Sequence, residues 1–362
     1  MLDKLPPEIC GIIFDFACRD GRTGLALSHV SRYIRNTSEL ARYTSIALVS
    51  YAQIIAFAQF VEHTRIKLKT RHLFINGQAS EKELERMLCE ANAGLRKAQL
   101  EYRRLTKVLP RGGGKWGDAR DGIARERANA SKLLGREGAR AVESILRTVG
   151  PTLEVLDISL NEYAAEMLLN PISLPCLVDL TTRCGFPLRP GDDVPALEPT
   201  HSLRYLHIVD SPRSWVCVDG FFRDGISYFA PSLTHLRLSE LYEDEVGIKE
   251  LGCALGHSDN LDHDPPSQIP LLSTTLELVV LKPAGHPHKS GPDGPCCDEV
   301  RDYDNLVRLA RWLRDKDTRV LLLKADSAPL AEDSYFQEWL DKVDGAVCKW
   351  DRVLMHDLDL YE

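Results

Sequence analysis

The chain has 362 residues, 44% of them apolar, with 45 Lys+Arg against 53 Asp+Glu and a formal charge of -8. This excludes fibrous, wholly disordered and strongly basic classes. No apolar run reaches the ~18 residues of a membrane helix, and Met1–Glu8 lacks the charged-then-apolar pattern of a secretory signal, so the ten Cys read as reduced thiols of the cytosol or nucleus.

Pro6 and Pro7 suit a helix start, and Glu8 suits the positive end of its dipole. Ile9, Ile12, Ile13, Phe16 and Ala17 follow at i, i+3, i+4, i+7 and i+8, which predicts an amphipathic helix. A polar, glycine-bearing turn (Arg19–Gly24) separates it from a second short helix through Leu25, Leu27 and Val30. A third helix runs through Ser31–Arg35, and Ile46–Leu48 reads as a brief strand. Three short helices in under fifty residues bury too little to stand alone, so this unit is expected to pack on the following domain, on a partner, or on both.

The ordered set Leu5-Pro6-Pro7-Glu8-Ile9, Ile12, Ile13, Phe16, Leu25–Leu27, Val30-Ser31-Arg32 and Ile34-Arg35 resembles an F-box. The Cys18–Gly24 segment and Tyr43–Leu48 are similar to F-box-like proteins abundant in mushroom-forming fungi; the Trp that the family often has near Ile34 is absent. The resemblance implies a module, residues 1–50, that binds the Skp adaptor of a cullin-based ubiquitin ligase. On this chain the adaptor-binding residues would be Leu5, Pro6, Glu8, Ile9, Ile12, Ile13, Phe16, Leu27, Val30 and Ile34. The competing expectation is a helical cap whose apolar residues are all used internally.

Residues 51–362 read as a repeat domain. Arg71–Ile75 suggests an early strand, ahead of a segment of opposite charge. Leu95–Arg136 carries twelve basic side chains against four acidic, a net +8 set against −16 for the rest of the chain. Three consecutive glycines, Gly112–Gly114, interrupt any helix there. A solvated insertion, partly helical and partly disordered, is expected at 95–136. Phosphate or nucleic-acid binding through it is the lesser reading, because only Tyr102 and Trp116 offer stacking.

Beyond the insertion, L-x-x-L-x-L recurs with substitutions from Leu153, Leu177, Leu203, Leu233 and Leu276, at spacings of 24, 26, 30 and 43 residues. Pro, Ser or Thr precedes each anchor nearby, and helical stretches such as Ala139–Val149 and Gly220–Phe229 fill the gaps. The first spacings sit near the leucine-rich-repeat period of ~20–29. The fold class expected is therefore α/β: a three-helix F-box-like unit, then an irregular leucine-rich-repeat-like solenoid of parallel strands. A non-repetitive α/β domain is the alternative, and helices between strands make the sheet parallel in either case. In such an array the residues between the leucines line an exposed face, with Tyr205, His207, His235 and Arg237 as candidate target-binding residues. A helix over Tyr303–Arg314, strands at Val320–Leu323 and Arg352–Leu354, and an aromatic helix at Tyr335–Leu340 complete the chain, the last as a terminal cap.

No phosphate-loop, dinucleotide, zinc-protease or nucleophile-elbow motif occurs. His286, His288, Cys296 and Cys297 cluster in a Pro/Gly-rich stretch, but adjacent cysteines fit one tetrahedral site poorly and the stretch reads as a surface loop. Cys10, Cys18 and Cys89 read as small core fillers. Neither metal nor cofactor is expected. The combined expectation is a non-catalytic substrate receptor of a Skp–cullin–F-box ligase, cytoplasmic or nuclear, holding an unknown target protein on its repeat domain. The alternative is a standalone leucine-rich-repeat-like interaction scaffold with an N-terminal helical cap.

Overall fold

The computed structural model describes residues 5–64, 66–77, 97, 100, 114–160, 171–183, 198–209, 221–241, 245–257, 269–285, 297–325 and 332–345. The chain is α/β, with one eight-stranded sheet and ten α-helices among the described residues. Helices α1 (Pro7–Ala17), α2 (Thr23–Leu27) and α3 (Arg32–Thr37) lead directly into β1 (Ser45–Leu48). Helix α4 (Tyr51–His63), β2 (His72–Asn76), the long α5 (Gly114–Val149), β3 (Val155–Ser159), β4 (Asp179–Arg183) and β5 (Tyr205–Val209) follow. Two single-turn helices, α6 (Phe221–Asp224) and α7 (Ile226–Phe229), precede β6 (His235–Leu241) and α8 (Glu245–Ala254). The chain then forms β7 (Leu278–Pro283), α9 (Cys297–Lys316), β8 (Val320–Leu322) and α10 (Glu332–Val343).

The strands are all parallel and lie in chain order, β1 to β8. Register and the two-residue period of a strand sort their side chains into rows. One row reads Ile46, Leu73, Leu156, Leu180, Leu206, Leu236, Val279 and Val320. The next on the same face reads Leu48, Ile75, Ile158, Thr182, Ile208, Leu238, Leu281 and Leu322. Apart from Thr182, these join one core with the inner faces of α4, α5, α8 and α9.

The turns repeat as closely as the rows do. The amides of Leu153, Leu177, Leu203, Leu233 and Leu276 each donate to the carbonyl three residues earlier, which swings every anchor leucine into the core, where all five are at most 3% exposed. Three of the preceding hydroxyls explain the Ser/Thr preference at this position. Thr152 donates to the Thr70 carbonyl, Ser202 to Leu177 and Thr275 to Leu233, in each case the anchor position of the preceding strand. Each hydroxyl thus ties one turn to the turn before it, satisfying a carbonyl that no sheet ladder reaches.

The N-terminal unit supplies the first strand of the sheet, β1, which lies inside the expected bounds of 1–50. One helix is longer than expected. The second half of the basic segment is helical: α5 starts at the third of the consecutive glycines and runs unbroken from Gly114 to Val149, not from Ala139. Its last turns are anchored by Val142, Ile145, Leu146 and Val149 in the core. Most of the earlier half, Cys89, the His286–Cys296 stretch and the strand at Arg352–Leu354 lie outside the described residues.

Candidate protein-binding surfaces

Helix α1 is apolar on both sides and covered on one. Cys10 and Phe14 face a small core with Cys18, Ile34 and Ala41, bordered by half-buried Leu5, Leu27 and Tyr33. The Tyr33 hydroxyl donates to the Leu5 carbonyl at 2.9 Å, holding the Leu-Pro-Pro entry against α3. Ser31 caps α3 by accepting from the Ile34 amide at 3.2 Å. The predicted stripe points the other way: Ile9, Ile12, Ile13 and Phe16 are 39–61% exposed. Leu25, Val30 and Leu40 on the same unit are exposed as well, so half of the exposed large apolar side chains among the described residues fall between Ile9 and Leu40. Pro6 and Glu8 are also open to solvent. Ile34 is not: at 4% exposure it belongs to the inner core. Its place three residues after the Ser31 cap turns it inward. Leu5 and Leu27 are shared between that core and the surface.

The turn after α1 faces the sheet. Gly21 has φ +66°, and a Cβ there would lie 3.1 Å from Ala47 and 3.2 Å from the Trp339 ring. Glycine both permits the left-handed turn and allows β1 and α10 to close on it. Arg22 stacks its guanidinium 4.4 Å from the centre of the Phe336 ring.

The second surface is the sheet face opposite the core. Its central row runs Ala47, Phe74, Asp157, Thr181, His207, Arg237, Val280 and Leu321. Tyr205 and His235 stand two residues earlier on the same face, half-buried, with ring centroids 4.8 Å apart. His207 and Arg237 were expected to be exposed, yet they are 1% and 5% exposed. The aromatic helix causes the difference. Instead of capping the sheet beyond β8, α10 returns across this face, with Trp339 and Val343 buried against Phe74 and bordered by Ala47 and Val155.

Charges meet under that helix. Glu338 accepts from Arg237 Nη1 at 3.2 Å and lies 3.9 Å from His207 Nδ1, while His207 Nε2 shares a 2.6 Å hydrogen bond with Ser239. Lys342 Nζ donates to Asp179 at 2.6 Å and to Thr181 at 2.8 Å. Arg183 pairs with Asp157 and lies between the Phe74 and Tyr335 rings, 5.4 and 4.4 Å from their centres. Burial pushes the Asp157 carboxyl up to about 6 despite Arg183 and Lys342 beside it, and raises Asp179. Burial, then Arg237, Lys342 and Arg183, hold His207 well below its usual range, so it is neutral at pH 7. Sequence reasoning singled out His207 and Arg237 but missed Glu338 beside them, and it missed Lys342 with its partner Asp179, and Arg183. The available signal was complementary: a carboxylate and a lysine one turn apart on an aromatic helix, matching unlike charges on the outward strand positions.

Among the described residues no group of three or more His, Cys, Asp or Glu is placed to hold a metal ion, and no helix is long and apolar enough to cross a membrane. Comparison of the chain with protein-family models, curated proteins and solved structures returns no match.

Proposed function

We propose that the chain is the substrate-receptor subunit of a Skp–cullin–F-box type ubiquitin ligase. The N-terminal unit binds the Skp adaptor, and the leucine-rich-repeat-like domain holds a target protein. The observation that supports this most directly is α1, whose Ile9, Ile12, Ile13 and Phe16 stay in water although the opposite side of the helix already fills a core. A helix apolar all round is ordinarily buried all round, and an exposed apolar cluster of this kind marks a protein contact. The same residues carry the F-box resemblance. In this role the chain catalyses nothing; it raises the local concentration of target near the ubiquitin-carrying enzyme. Repetition of the anchor-leucine turn supports the repeat-domain half of the reading.

The fit of Gly21 and Arg22 against β1 and α10 favours a second reading, a standalone scaffold with a helical cap. The experiment is capture of purified Skp adaptor by the full chain and by the Ile12→Asp/Phe16→Asp variant. Both positions are more than half exposed, so the variant keeps its fold while losing at least tenfold in adaptor affinity. Absence of capture by the unmutated chain rejects the receptor reading in favour of the scaffold.

A further inference from the structure

Helix α10 fills the outer face of β2–β6 in the manner of a bound ligand. A segment whose only task is to cover a sheet is served best by apolar side chains. This helix instead removes the charges of Glu338 and Lys342 from water to meet Arg237 and Asp179. Buried ion pairs of this sort are specific more than they are strongly stabilising. The helix also buries Trp339 completely, yet Nε1 of that ring makes no hydrogen bond among the described residues, and neither does Nε of Arg183. Buried donors left in this state weaken a contact. The match is therefore selective in pattern and incomplete in energy.

We propose that the outer face of β2–β6 is a helix-binding groove whose resident occupant, α10, is exchanged for a helical segment of a partner protein bearing an aromatic residue beside a carboxylate, with a lysine one turn later. The proposal rests on the reading of the strand domain as a target-holding surface, and not on the adaptor contact. Charge complementarity specifies the partner. Asp179 with Thr181 takes the ammonium, Arg237 takes the carboxylate beside His207, and Phe74 receives the aromatic ring. This is helix-in-groove recognition, in which one face of an amphipathic helix supplies all the anchors. The tether gives α10 an effective concentration on the order of 1 mM, so a partner gains the groove by binding more tightly than α10 does.

The test is a fluorescence titration of the full chain with a labelled peptide spanning residues 332–345. The unmutated chain is compared with Trp339→Ala/Lys342→Ala, which loosens the resident helix. The expected result is a half-saturating peptide concentration at least tenfold lower for the loosened chain, and loss of that binding when Arg237→Glu is added. Equal titrations for the two chains, or no binding by a loosened chain that still unfolds cooperatively, overturn the groove. If the double variant loses cooperative unfolding, Lys342→Ala alone carries the same titration with the same two outcomes. A dimer of the intact chain in sedimentation, abolished by Lys342→Ala, assigns the groove to a second copy and overturns the partner. Adaptor capture read in parallel separates the two readings: peptide binding without capture removes only the adaptor, and capture without peptide binding removes only the groove.

Discussion

Truncating Trp339 to alanine measures how firmly α10 is held. The indole is 0% exposed, with Phe74 and Phe336 rings at 5.7 and 5.6 Å and Gly21 against its edge. Removing a buried Trp side chain costs about 3–5 kcal/mol. Because its Nε1 makes no hydrogen bond among the described residues, losing that desolvated donor returns about 1–3 kcal/mol, which leaves a net centred on about 2 kcal/mol. At 1.4 kcal/mol per tenfold change, the detached population of α10 rises about 30-fold. Hydrogen exchange by mass spectrometry reads this directly: the amides of residues 335–343 exchange faster by that factor, while those of β3–β6 change much less. Gln337→Ala, an exposed change on the same helix, stays within about 0.5 kcal/mol. Unchanged exchange across α10, or an equal acceleration throughout the sheet, refutes the reasoning. The first would mean that Trp339 does not hold the helix down; the second, that α10 is an inseparable part of the core.

Arg183→Met strands the buried Asp157 carboxylate and costs about 3–5 kcal/mol in urea unfolding, whereas Asp157→Leu/Arg183→Met together recover most of that loss; a double variant no more stable than the single removes the argument. His72 is held down to about 4 chiefly by burial, with the Arg71 charge adding to it, and its Nδ1 lies 2.8 Å from the Ser45 hydroxyl. The native state therefore binds fewer protons here than the unfolded chain. Its contribution is complete above the ordinary value of about 6.5 and is lost as pH falls towards 4, a difference of about 3 kcal/mol. Unfolding midpoints from pH 7.5 to 4.5 fall less steeply for His72→Asn than for the unmutated chain; parallel curves would show that the imidazole does not contribute in this way.

Most of the sheet was legible because its signal is local. Each anchor leucine sits one turn before its own strand, and its partners in the row are other leucines at the same place in the next unit, so five repeats predicted five consecutive strands, β3 to β7. The strand at Ile46–Leu48 and the one at Arg71–Ile75 were legible from short β-branched and aromatic runs. The α1 stripe was legible too, but its direction was not. Cys10 and Phe14 look no more apolar than Ile12 and Phe16, and the choice of inner face depends on where Tyr33 and Ile34 arrive. The outer sheet face failed for a related reason. Whether Asp157, His207 and Arg237 meet water depends on a distant helix, whose Glu338 lies 101 residues after Arg237, and no periodicity encodes that return. A 36-residue helix was likewise hidden, because α5 carries Gly122, Gly135 and Gly138 and a sparse apolar stripe until its last turns. Gly138 is there for contact: a Cβ would lie 2.9 Å from the Tyr51 ring, so α4 and α5 approach more closely than any other residue permits.

A stack of units that touch only their neighbours can fray from either end, because losing a terminal unit breaks one interface and leaves the remainder intact. The return of α10 changes that topology. The segment that follows the last strand rests on β2 and against the turn at Gly21, so the two ends of the stack are stitched to each other. Opening β8 pulls on the same helix that braces β2, and melting the N-terminal unit uncovers the aromatic cluster that holds the C-terminal segment. While α10 is docked, the first and last units are coupled through it, and its release returns the sheet to an open stack.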